Sequence, residues 1–270
     1  MEYSLRTKLI QKKLVIIAIL FFAALVALLF VAPIPQDPAY HRFADARRFL
    51  GIANFGDVVS NVGFAIVGLW GLFRILGAAM TPLFDHPMDS IPYVVFFLGV
   101  ALIGPGSGIY HAGPDNATLF WDRLPMTIAF MAFFTAVIAD RIHRRAGIFW
   151  LLPSLLMVGV LALVYWQQTE LAGVGDLRFY GMVQFFPLVA IPVIIWLFPE
   201  RRYTSDRSLV WVILWYAIAK VFEYFDKEIF DLLGGTVSGH SLKHLASAVA
   251  VYMIVDMLLR SVAEAGAQQT

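Results

Sequence analysis

The chain has 270 residues, of which 60% are hydrophobic and 14% charged, against roughly 25% charged in an ordinary soluble domain; this excludes a soluble enzyme. Twenty basic and nineteen acidic residues leave a net charge of +1, so no excess charge points to nucleic acid or another acidic polymer. The absence of cysteine excludes disulfides, thiolate nucleophiles and cysteine-bound metal, leaving His, Asp and Glu as ligands for any ion.

At about 20 apolar residues per crossing, the hydrophobic runs predict eight membrane helices, near 14–32, 57–73, 91–110, 119–139, 148–165, 179–198, 208–225 and 241–259. The fold class expected is all-α: a polytopic membrane bundle with a seven-helix core over 57–260. An N-terminal transmembrane anchor and outer loop precede it over 1–56, and a frayed polar tail follows over 261–270. The first run comes after Arg6, Lys8, Lys12 and Lys13, as a signal sequence would, but its 19 apolar residues exceed a typical signal core. The following VAPIP lacks a small-x-small cleavage site, so the run reads as an uncleaved anchor. Segment 33–56, with its prolines and mixed charge, reads as an ordered outer loop or surface helix.

Loop charge sets the orientation, because positively charged loops stay cytoplasmic. With the N terminus inside, the inner ends receive 12 of the 20 basic residues: the four in the leader, Arg74, Arg141, Arg144, Arg145, Arg201, Arg202, Arg207 and Arg260. Both termini are therefore expected in the cytoplasm, in a bacterial inner membrane or an endomembrane.

Ionisable groups within spans are costly, so their placement is informative. The second span opens with GDVVSN (Asp57, Ser60, Asn61), the third ends in GPGSGIYH (Ser107, His111), and the fourth begins LFWDRL (Asp122, Arg123). The sixth opens with Asp176, Arg178 and Gln184, the seventh ends with Lys220, Glu223 and Asp226, and the eighth begins with His240, Lys243 and His244. Alternating topology brings all these ends to the outer face, which predicts one polar site there. His240 and His244 share a helix face one turn apart and can grip a single ion; Ser107 and His111 have the same spacing. Three histidines leave the fourth position of a tetrahedral zinc ion open to water, the catalytic rather than the structural arrangement. Asp122 can take the proton or orient the water.

Each element also has a plainer structural reading. HSLKH can be an interfacial pair, Ser107 a small packing residue, GPGSG a kink, and Asp122 with Arg123 a charge pair. Glu223 can pair with Lys220 or Lys227, and Asp256 with Arg260. His41, His86 and His143 fall in loops and are read as non-functional.

These motifs resemble the alkaline ceramidases and the wider superfamily that includes the adiponectin and progestin receptors and haemolysin III-like proteins. The resemblance covers about 57–260 and rests on Ser107, His111, Asp122, His240 and His244. The Ser60–Asn61 pair, WDRLPMTI and GHSLKHLASA look more like the ceramidase branch. It implies a zinc-dependent intramembrane amidase with His111, His240 and His244 as ligands, Asp122 holding the water and Ser107 near the developing oxyanion. The substrate implied is ceramide, or another N-acyl lipid if the host makes no sphingolipid. Eukaryotic members also carry an acid-rich calcium site; the matching stretch here offers one acid, Asp45, plus Asn54, too few oxygen ligands for calcium to be expected. A receptor using the same site structurally should have a sizeable signalling domain, whereas only 13 residues precede the first apolar run. A transporter should show paired broken helices and symmetric halves.

Overall fold

The computed structural model describes the backbone of residues 2–77 and 83–267 and the side chains of residues 8–77 and 83–261. It is an all-α polytopic bundle, without a β-strand among the described residues. Helix α1 spans Glu2–Leu29, α2 Phe55–Ser60, α3 Val62–Leu76, α4 Ile91–Ala112 and α5 Asn116–Arg141. A single turn, α6 (Arg144–Ala146), leads through a π-helical turn into α7 (Leu152–Leu171), followed by α8 (Arg178–Leu197), α9 (Asp206–Tyr224), α10 (Asp226–Leu232) and α11 (Gly239–Ala267). Seven described helices are long and apolar enough to cross a membrane, with α2 and α3 together making one; α9 and α10 meet the same length and composition test together, as a pair bent by 77°. The tail expected to fray continues α11 as far as Ala267, and residues 268–270 lie outside the described residues.

Burial ranks the helices. In the most apolar stretch of α5, 67% of residues are buried inside the protein, against none for α1. Thus α5 is the central post, packed on α4, α7 and α8, while α1 lies outside and touches α8. Phe96, Phe97, Val100, Phe134, Ile194 and Leu258 meet in the core. Helix α4 stays helical through Pro105 in the GPGSG run, as membrane helices tolerate when neighbours satisfy the freed backbone. Gly106 is required there: a Cβ on it would stand 2.5 Å from the carbonyl of Trp121 on α5.

The bundle has two chemically different ends. At one, Arg141 donates to Thr204, to the Phe198 carbonyl and to Asp206, while Asp140 accepts from the backbone of Arg202, Tyr203 and Thr204. Arg144 and Arg202 pair with Asp89 and Asp85 in the same region. His86 and His143 each accept a backbone N–H at the start of a short helical turn. The other end gathers the histidines.

Segment 33–56 is an ordered loop with one 3-10 turn, Pro38–His41. The N-H of Leu177 donates to Ile34, the N-H of Gln36 to Glu170, and Arg178 to the carbonyls of Leu28 and Val31. These bonds fasten the exit from α1 to the α7–α8 connection before the chain folds across the histidines.

Candidate metal centre and the cavity beside it

His111 comes from the last turn of α4, and His240 and His244 from the first turns of α11. Their ring centroids lie 4.7, 5.0 and 4.9 Å apart. All three are buried, and one ligating nitrogen from each lies within 4.8 Å of the others. The group can hold a metal ion.

Local bonding fixes these side chains. Near the end of α4 the His111 carbonyl receives the Asn54 amide at 2.8 Å, which supplies a partner where helical ones run out. Asn54 adopts a left-handed conformation (φ 48°), which Asn tolerates better than most residues. At the start of α11, Ser238 accepts the N-H of Ser241 at 2.9 Å, and Asp226 accepts that of His240 at 2.8 Å. The hydroxyls of Ser238 and Ser241 both donate to Asp57, each at 2.7 Å. The seemingly excess polar residues of three spans thus pin the helix start that presents the two histidines.

The donor set fits a metal. The Ser60 hydroxyl donates its one proton to the Asp57 carbonyl, so its oxygen accepts from Nδ1 of His244 at 2.8 Å; Nε2 of His244 then keeps a free lone pair. Nδ1 of His111 is buried without a partner. Nε2 of His240 faces the Lys243 ammonium at 2.9 Å and so is unprotonated. Phe43 closes the cluster, its ring 4.6 Å from that of His111 and 4.8 Å from that of His240.

Ser107 and Asp122 are both buried and face the same cavity. With His244 they line a cavity of about 180 Å³. Its wall runs past Phe96 and Phe133 to Leu209 and Ile254. His244 and Ile254 are ten residues apart on one helix, about 15 Å along its axis and about half the hydrocarbon thickness of a bilayer.

The structure therefore brings the five residues singled out in the sequence to one end: three histidines in one cluster, and Ser107 with Asp122 in the adjoining wall. Arg123 does not pair with Asp122; it turns to Gln36 and stacks against Trp166 and Tyr180. Glu223 binds Lys220 and Lys243, while Lys227 takes Asp231 instead. Asp256 pairs with Arg260. His41 bonds to Tyr110 and Asn116 and is not part of the three-histidine group. Asp45, the lone acid of the stretch compared with the calcium site, is held by both its oxygens to Arg47. Sequence reasoning missed Phe43, the bond from Asn54 to the His111 carbonyl and the bond from His244 to Ser60; Asn54 and Ser60 were singled out there only as an oxygen donor near Asp45 and as part of the SN pair.

A multi-pass membrane protein with a buried three-histidine centre opening onto an apolar cavity is suited to chemistry on a lipid. The family model described as Ceramidase matches residues 50–270, and the chain belongs to that family. Membership makes it a membrane hydrolase of amide bonds with a lipid substrate. Comparison with curated proteins gives no match.

Proposed function

We propose that the chain is a zinc-dependent intramembrane amidase that cleaves ceramide or a related N-acyl lipid. The observation carrying this reading is the buried His111–His240–His244 group, set beside Ser107 and Asp122 in the wall of the apolar cavity. His111, His240 and His244 hold the zinc; when bound, the ion polarises the amide carbonyl and acidifies water. Asp122 accepts the proton of the attacking water and returns it to the leaving amine. Ser107, in the same cavity wall as Asp122, lends its hydroxyl to the developing oxyanion. The aromatic and aliphatic wall holds the acyl chain, and Phe43 limits water at the cluster. The catalytic unit is the core over 57–260. The site lies near the outer face with both termini cytoplasmic, a reading supported by the basic residues at the opposite end.

The test is zinc content and ceramide hydrolysis on the same purified samples of wild type, His111→Ala and His240→Ala. Near-stoichiometric zinc and hydrolysis, both lost in the variants, are expected. Folded wild type without metal, or a fully active His240→Ala variant, overturns the mechanism.

A further inference from the structure

Arg123 is 6% exposed and lines the cavity together with Asp122. Its guanidinium lies 4.4 Å from the ring centre of Trp166, 4.8 Å from that of Tyr180 and 5.7 Å from that of Tyr40. One amino group, Nη2, donates to the neutral side chain of Gln36 at 2.6 Å. The other, Nη1, is buried without a partner. Among the described residues no carboxylate lies within salt-bridge distance of it, although ten other arginines and lysines there form such pairs. A buried cation is costly unless an anion or a full set of acceptors meets it. Here three rings and one amide hold it ready, with a donor left over.

A second cationic group lines the same cavity. Lys220 and Lys243 share one carboxylate, Glu223, at 2.6 and 3.0 Å. Lys243 also donates to Nε2 of His240. Arg123, Lys220 and Lys243 against Asp122 and Glu223 leave an excess of one positive charge in the wall, before any metal is added.

We infer that the polar end of the cavity is a subsite for an acidic head group, carboxylate or phosphate, received by the free Nη1 of Arg123 with Lys243 beside it. The favoured substrates are then N-acyl lipids bearing a negative charge near the scissile amide, rather than neutral ceramide. This rests on the amidase reading for its consequence, but the subsite can be measured without turnover. A guanidinium fork matches both acids, and the two sources differ in the geometry of their oxygens.

The test is binding to the full-length, chelator-treated protein, read from tryptophan fluorescence, since Trp166 stacks on Arg123. The probes are N-oleoylglycine, its primary carboxamide, an N-oleoyl ceramide and the corresponding ceramide 1-phosphate. At least one acid should bind roughly tenfold or more tightly than its neutral counterpart, the scale of one charge-assisted hydrogen bond. Whether N-oleoylglycine or ceramide 1-phosphate shows the larger preference names the source. Arg123→Gln should bring each acid and its neutral counterpart to parity, while Arg123→Lys, which keeps the charge, should retain part of the preference. Equal binding of acid and neutral probes by wild type, or an undiminished preference in folded Arg123→Gln, overturns the inference. If Arg123→Gln does not fold, the wild-type comparison and Arg123→Lys decide it. Hydrolysis of the same lipids by zinc-loaded protein is scored separately: selective binding without cleavage of any probe counts against the amidase and leaves the subsite standing.

Discussion

The oxygen of Ser60 lies 2.8 Å from Nδ1 of His244, and its own proton goes to the carbonyl of Asp57. A hydroxyl on α2 therefore selects the imidazole tautomer on α11, 184 residues later. Partners of this kind orient a ligand and raise its basicity, and their loss costs about 10–100-fold in metal affinity. Ser60→Ala should show a fall of that order in zinc affinity, measured by competition with a chelator, with helicity unchanged. Unaltered affinity removes Ser60 from the centre.

Asp122 is placed to move protons rather than to hold the ion. Asp122→Asn should keep zinc near wild-type content while turnover falls by about 10²–10⁴-fold, the usual contribution of a general acid–base group. Metal analysis and steady-state kinetics on one preparation separate this from a ligand, whose removal would take the zinc with it.

Gly106 tests the link between packing and chemistry. Any side chain there meets the Trp121 carbonyl and pushes apart the helices that carry Ser107 and Asp122. Gly106→Val should lower stability by about 1–3 kcal/mol, as overpacking does, and reduce hydrolysis more than zinc binding. Thermal unfolding in detergent and the same two assays check it; a variant with wild-type turnover shows that the close packing of α4 on α5 is dispensable.

Acid should loosen the segment over the histidines. Hydrogen bonds from Arg47 hold the Asp45 carboxyl below its ordinary range, and those from Arg178 do the same for Asp176. A depressed folded-state pKa stabilises the protein above the unfolded value, and that contribution disappears as pH falls through the folded value. The loss therefore begins below about pH 4. Arg47 is half exposed, so solvent screens its pair and Asp176 should contribute more. Digestion of segment 33–56 by an acid-tolerant protease should accelerate over this window, and the step should shrink in Asp176→Asn. A rate independent of pH refutes the clasp.

Orientation can be read directly because the chain contains no cysteine. Leu171→Cys, near the histidine end, should react with an impermeant thiol reagent applied from outside, while Arg145→Cys, at the opposite end, should react only after permeabilisation. The reverse pattern turns the site to the cytoplasm.

The sequence made the histidines legible through two local signals, spans of countable length and i, i+4 spacing. Helical geometry carries both His240 with His244 and Ser107 with His111 to one face, so no long-range information was needed to nominate them. Other features depend on contacts between distant residues. Phe43 precedes His240 by almost the whole fold, and a phenylalanine in a proline-bearing loop has no pattern that says what it covers. Arg123 beside Asp122 suggested a pair, yet neighbours on a helix point in different directions, and the guanidinium follows Gln36 and the aromatic rings instead. Hydropathy closed the seventh run at 225 and gave no sign of the short helix α10 that follows it after a 77° bend.

Tyr40 and Phe43 reach the cavity and the histidines from before residue 50, where the family match begins. The reacting groups and their cover thus come from separate stretches of chain, and the cover is moored to α1 through Arg178. Exchanging the first 49 residues would change which molecules gain admission while leaving the reactive groups in place, so selectivity at this doorway can evolve independently of the chemistry behind it.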